Sequence, residues 1–306
     1  MTGRRGGAPV CSIGLPVWNG ENFVEQAIRS ALAQDMKDFE LIIADNASTD
    51  RTGEICERLA REDDRIVYLR HPRNVGAAKN YNHVFNLARG EYFVWLAHDD
   101  VQGPSFLSTC LAAFGSAGDD TVLVYPAFTY IDEASREIPH PGPRCVETAA
   151  PTPARRMFEV LEGLGTVSSI FGMFRRDLLA RTRLIGSYVA SDYVLLAECA
   201  LLGPIRRIDG PPQFARRLHD GGSQRANRTP EDVAKWFDPD TRPDDRPSRR
   251  LTREYVLSIL GVPGLSSADR AAAIACLAVQ RHLVRRRVRR ARHAGPRKPL
   301  AERRGA

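Results

Sequence analysis

The chain has 306 residues, is 43% hydrophobic and 26% charged, and carries a formal net charge of +7. No apolar run approaches the roughly 18 residues of a membrane-spanning helix, and the opening MTGRRGGAPV lacks the apolar stretch of a secretion signal, so the sequence reads as cytoplasmic. Six scattered cysteines argue against both a disulfide framework and a zinc site. The last 26 residues, from Arg281, hold eleven of the 44 Lys and Arg and one of the 37 acids; they carry +10 and the rest −3, so the basic charge does not mark a nucleic-acid-binding protein.

In chain order, Val10 to Val17 reads as a buried strand and Trp18-Asn19-Gly20 as a turn, with Phe23, Ala27, Ile28, Ala31 and Leu32 then at helical spacing. Phe39 to Ala44 is a second strand, ending on Asp45-Asn46-Ala47-Ser48-Thr49-Asp50. A helix carrying Ile55 and Leu59, a strand from Ile66 to Leu69, the loop HPRNVG and a helix from Ala77 to Ala88 follow. Glu91 to Asp100, EYFVWLAHDD, is an apolar strand that breaks into His98, Asp99 and Asp100. Strands and helices that alternate with short connections predict a mainly parallel sheet covered by helices on both faces.

The strand ends carry the polar residues. In open α/β folds the carboxyl edge of the sheet binds ligands, and Asp45, Asp99 and Asp100 should lie along it. A carboxylate there can accept a bond from a nucleobase N–H or a ribose hydroxyl, or it can merely form an Asx turn or a helix cap. Adjacent carboxylates repel unless a cation sits beside them, and hard ions such as Mg²⁺ or Mn²⁺ prefer such oxygens. Asn74-Val75-Gly76 offers backbone N–H groups at a helix start, with Arg73 and Lys79 nearby as phosphate partners. No Walker loop and no Gly-x-Gly-x-x-Gly is present.

The second half is less regular. Val122 to Tyr125 reads as a strand, Pro139 to Pro153 as a loop, Arg155 to Leu164 as a helix and Ser168 to Phe174 as a strand. Asp192 precedes an apolar helix through Leu202, where capping alone would account for it. Thr229 to Arg250, polar and proline-containing, reads as a linker or mobile loop. Leu251 to Leu260 and Ala268 to Arg290 read as helices, the latter with Ile274, Leu277, Val284 and Val288 along one stripe.

Strand Ser12 to Val17 with Asn19-Gly20, the Asp45-Asn46-x-Ser48-Thr49-Asp50 loop, Asn74-x-Gly76 with Asn80, and Gly90-Glu91-Tyr92 leading to Asp99-Asp100 together resemble the N-terminal half of family-2 glycosyltransferases. The resemblance implies the nucleotide-diphospho-sugar transferase (GT-A) fold: an α/β, Rossmann-like mixed sheet, mainly parallel and sandwiched by helices, here with a C-terminal helical extension. It implies a donor site of Pro16, Val17, Trp18, Asn19, Asp45, Asn46, Arg73, Gly76, Lys79 and Asp99, with Asp45 on the donor base. It further implies a divalent metal, Mn²⁺ or Mg²⁺, on Asp100, although Ala97 stands where the fuller signature has its first acid. Phe214 to Ser223 resembles the family's Arg-x-His-x-Gly-Ser stretch, which offers His219 to the metal or diphosphate; a surface loop histidine is the plain alternative. Asp192 matches the general base of inverting members.

The expectation is an inverting transferase that moves a sugar from a nucleotide-diphosphate donor, a UDP-sugar first, to a glycan, lipid-linked or small-molecule acceptor. Such an enzyme would serve polysaccharide, glycolipid or natural-product glycosylation. Residues 1–225 form its domain, with a nucleotide-sugar half to 100 and an acceptor half beyond; residues 226–306 add linker, helices and an Arg-rich tail. The tail reads either as a solvated extension or as a contact for anionic lipid at the inner membrane face. Nucleic acid is the weaker partner, since no aromatic residue follows Tyr255 to stack on bases. Two rivals compete. A sugar-1-phosphate nucleotidyltransferase would need a Gly-rich N-terminal loop that is missing; an inactive nucleotide-binding homologue acting through its tail is kept open by Ala97.

Overall fold

A computed structural model of the chain describes residues 7–139, 146–148, 150–163, 168–222, 229–240 and 246–293. Strand β1 (Cys11–Val17) is buried along its whole length and lies between β2 (Phe39–Asp45) and β4 (Tyr92–Trp95), parallel to both; β3 (Ile66–Arg70) pairs with the far side of β2. Uninterrupted apolar strands suit this position, because helices cover a parallel sheet on both faces. Those helices are α1 (Val24–Leu32), α2 (Thr52–Glu62) and α3 (Ala77–Leu87). Helix α1 buries Val24, Ala27, Ile28 and Ala31, one face of a 3.6-residue period.

The sheet continues beyond β4 as β8 (Met173–Arg175), β6 (Leu123–Pro126) and β9 (Ile205–Ile208), giving seven strands in the order β3-β2-β1-β4-β8-β6-β9. Only β8 runs antiparallel to its neighbours. A second sheet of three short strands joins β5 (Val101–Gln102) to β10 (Phe214–Arg217) and β10 to β7 (Phe128–Ile131). Because β5 directly follows Asp99-Asp100 and pairs with β10, this small sheet carries Arg216, Arg217 and His219 to the acids at the end of β4.

Helix α4 (Phe106–Ser116) follows β5, and α5 (Pro153–Gly163), the short α6 (Arg176–Leu179) and α7 (Ser191–Leu202) occupy the second half. Three expectations are corrected. Ser168 to Phe174 is not one strand: Ser169–Phe171 is a 3-10 turn that delivers Phe171 to Phe214, the rings stacked at 5.5 Å, and only then does β8 begin. At Gly172, between them, a side chain would press on the Val124 carbonyl. Residues 229–250 are not a plain linker, for they contain α8 (Pro230–Phe237) and the start of α9 (Pro247–Gly261). In α10 (Ser267–His293) Leu277 of the expected stripe is buried and Val284 half-buried, but Ile274 is exposed and Ala273 faces inward in its place, with Gln280 also buried; the side chain of Val288 lies outside the described residues.

The main core surrounds the large sheet. A second core joins Met157 and Leu161 of α5, Val194 and Leu201 of α7, Tyr255 and Ile259 of α9 and Leu277 of α10. The C-terminal helices thus complete a core with α5 and α7. No described helix is long and apolar enough to cross a membrane. Cys145, Leu164, Ser223 and the chain beyond residue 293 lie outside the described residues.

Candidate functional site

Strands β1, β2 and β4 end at one edge of the sheet, and a cleft of about 450 Å³ opens there. Of the expected residues, Pro16, Val17, Trp18, Asn46, Asp99, Asp100 and His219 line it. Trp18 is exposed for its size, with an apolar ring at the mouth. The cleft also holds Asn74, Asn80, Tyr81, Phe171, Arg216 and Arg217, and a third side built from Asp232, Lys235, Trp236 and Pro239 of α8 and its exit.

Five expected donor residues stand outside this lining. Asp45 is fully buried, accepts bonds from the Tyr68 hydroxyl (3.1 Å) and the Ser48 N–H (2.8 Å), and lies 3.6 Å from Arg70. It holds the 45–50 loop in shape. Asn19, with φ of 50°, accepts from the Thr49 N–H (2.8 Å) and so stitches its own turn to that loop. Gly76 caps α3 with φ of 87°, and Arg73 and Lys79 pair with Asp240 (3.5 Å) and Asp238 (3.0 Å). Asn46, in contrast, spans the wall: it donates to Asn74 (2.9 Å) and accepts from the Val75 N–H (2.8 Å).

The acids at the end of β4 differ in environment. Nε2 of His219 lies 2.9 Å from Oδ2 of Asp99, and Oδ1 of Asp100 accepts from the Arg217 N–H at 2.9 Å. His219 therefore partners Asp99 directly, because the β5–β10 pairing sets its ring against the first acid. Burial works to raise the Asp99 carboxyl, but His98 and His219 outweigh it and hold the group below the usual range. Burial, and then the Asp99 charge beside it, push Asp100 well above that range. Among the described residues no three His, Cys, Asp or Glu are arranged to hold a metal ion. The donor set still fits a hard cation in kind, because Mg²⁺ is usually held by one or two carboxylates plus substrate phosphates, and extra positive charge would relieve the Asp99–Asp100 repulsion.

Asp192 is the second residue of α7, which is capped by Ala190 in a left-handed conformation (φ 64°) with no side-chain bond. Asp192 therefore lies in the first turn, two places past the N-cap position, where its carboxylate meets a first-turn N–H. The carboxylate accepts from the adjacent Tyr193 N–H (3.0 Å), and burial raises it above the usual range against the pull of its backbone N–H bonds and of Arg216. Asp192 does not itself line the cleft, but its charge reaches two residues that do, Tyr81 and Arg216. Arg216 donates to Ser168 Oγ (3.1 Å) over the Phe171 ring, between Asp100 and Asp192 in charge. Neither Tyr81 nor Arg216 was singled out from sequence: the first sits in an amphipathic helix among core residues, the second in a run of basic residues.

The sequence model of Glycosyl transferase family 2 matches residues 12–183, more than half of the chain. An uncharacterised glycosyltransferase of Rickettsia typhi is 34% identical over 131 residues, which cover 43% of this chain and 40% of that one; the chain thus matches about two-fifths of this curated relative's length. Among solved structures, Staphylococcus aureus TarS 1-349 with UDP-GlcNAc superposes with a TM-score of 0.63 at 18% identity, covering 88% of this chain and 72% of that one. The mannosyltransferase PcManGT of Pyrobaculum calidifontis, with GDP-Man and Mn²⁺, superposes at 0.51 and 17% identity, covering 89% and 75%. These likenesses show the fold, and the expected mixed sheet of GT-A type with C-terminal helices is the one found.

Proposed function

The chain belongs to glycosyl transferase family 2, and from that premise we propose that it moves a sugar from a nucleotide-diphosphate donor, most simply a UDP-sugar, to an acceptor hydroxyl with inversion at the anomeric carbon. The observation that carries this reading is the meeting of residues far apart in sequence: Asp99 and Asp100 in the cleft, and Asp192 close enough to act on Tyr81 and Arg216 of its wall. The UDP-GlcNAc bound by TarS supports the choice of donor class.

In this reading the nucleotide lies against Pro16, Val17, Trp18 and Asn46, on the loop that Asp45 and Asn19 hold in place. Asp192 accepts the acceptor's proton as the oxygen attacks the anomeric carbon from the face opposite the leaving diphosphate. A half-buried carboxylate whose proton affinity is raised by desolvation is a better base for this than an exposed one. Arg216, whose charge reaches Asp192, favours the ionised form that this step needs. A divalent ion would be held by Asp100, with Asp99 and His219 beside it, and would supply Lewis-acid stabilisation of the diphosphate charge; the Mn²⁺ of PcManGT supports this assignment. The acceptor is a glycan, a lipid-linked sugar or a small molecule.

Calorimetry with UDP, GDP and dTDP, each with and without Mn²⁺, tests the donor and metal together. Tightest binding of UDP with the metal present is expected; no binding of any of the three would sink the reading. We place the Arg-rich end of α10 at an anionic membrane surface: Arg285 and Arg286 are exposed, and each basic residue near such a surface contributes about 1 kcal/mol. Arg285→Glu with Arg286→Glu should weaken binding to phosphatidylglycerol vesicles, and equal binding would remove the membrane from the account.

A further inference from the structure

The two cations that the sequence offers to the donor diphosphate are occupied elsewhere. Arg73 reaches Asp240 and Lys79 reaches Asp238, and neither lines the cleft. Both partners belong to the chain leaving α8, which runs so close to α3 that a methyl group on Gly76 would collide with the Phe237 carbonyl. This contact sets α8 along the cleft and points Lys235 and Trp236 into it.

Three other cationic side chains are candidates for the diphosphate. Arg217 is committed: its guanidinium donates to the Asp99, Asp132 and Glu133 carbonyls and to Gln26. Arg216 donates to Ser168 and serves the Asp192 side. Lys235 is exposed, has no ion-pair partner among the described residues, and extends from the wall that faces the strand ends. Asp232, the acid one turn before it, also faces the cleft, but its Oδ2 accepts from the Thr229 N–H as part of a capping box. Helix α8 lies beyond the region matched by the family, residues 12–183, so the family match does not supply this contact.

We propose that Lys235 binds the donor diphosphate, in the role that the sequence offered to Arg73 and Lys79, and that Asp238 and Asp240 use those two cations to hold α8 in place. The proposal rests on the donor reading above. An ammonium acts as a mobile point charge with three donors, suited to a diphosphate whose charge moves as the sugar leaves.

The test is calorimetry on the full chain with UDP and, separately, uridine, for wild type, Lys235→Ala and Lys235→Arg. Lys235→Ala should lower UDP affinity about tenfold, the scale of one lost hydrogen bond to a charged group. It should leave uridine binding and the melting temperature unchanged, and Lys235→Arg should restore most of the loss. Unchanged UDP affinity in Lys235→Ala would overturn the proposal. So would equal losses for UDP and uridine, which would mean a displaced helix in place of a missing phosphate contact. Failure of the wild type to bind UDP, GDP or dTDP would instead refute the donor reading, and this assignment with it.

Discussion

In the proposed mechanism a single side chain, Asp192, decides the chemistry. Its folded-state proton affinity is raised by burial, so the native chain binds this proton more tightly than the unfolded chain does. Linkage then gives the sign: the group opposes folding increasingly as pH rises from the ordinary carboxylate range to its raised value, and that cost is full above it. If Asp192 is the base, transfer uses its ionised form and should rise with pH across the same window. Asp192→Asn removes the buried charge, so at neutral pH it should melt at or above the wild-type temperature; a lower melting temperature would mean that the carboxylate supports the fold. The position of this acid at a helix start was legible in the sequence, but its place inside the first turn, past the N-cap, was not, because that depends on the left-handed turn at Ala190. The His219–Asp99 pair was equally hidden, since only the β5–β10 pairing brings the two together.

Among the elements, α8 shows best why part of the site was missed. Polar residues and prolines suggested a linker, yet Thr229, Pro230 and Asp232 are helix-start signals: the threonine and aspartate form a capping box, and the proline occupies the first turn, where its missing N–H costs nothing. The sequence from β1 to β4 was legible because long apolar strands alternate with amphipathic helices. Strands β5, β7 and β9 were not, since two to four residues make no readable alternation. The contact between α8 and α3 gives a prediction at this scale. Gly76→Ala puts a side chain on a residue with φ of 87° and against the Phe237 backbone. It should cost about 1–2 kcal/mol from the left-handed backbone alone, measured by urea unfolding, and more as α8 is displaced. It should also weaken nucleotide binding; wild-type values for both would show that α8 does not depend on this approach.

At the scale of the whole molecule, the C-terminal helices are tied to α7 through Arg183. Its guanidinium meets Glu198 of α7 (2.7 Å), Glu254 of α9 (2.8 Å) and Ser258 (2.6 Å), while Glu198 itself is buried. The Arg183 side chain is 39% exposed, so water screens part of the pairing; Arg183→Ala should lose about 1–3 kcal/mol in denaturant unfolding, mainly by leaving the buried Glu198 carboxylate short of a donor. A loss within experimental error would mean that α9 and α10 dock independently of this network. Since α7 also carries Asp192, the same helix joins the second core to the proposed base. The central claim is transfer by this assembly, and it is tested most directly by measuring transfer rate and nucleotide affinity together on Asp192→Asn. The account predicts that transfer falls by roughly 10² to 10⁴, the usual contribution of a positioned general base, while nucleotide affinity stays at the wild-type value; transfer at the wild-type rate would contradict it.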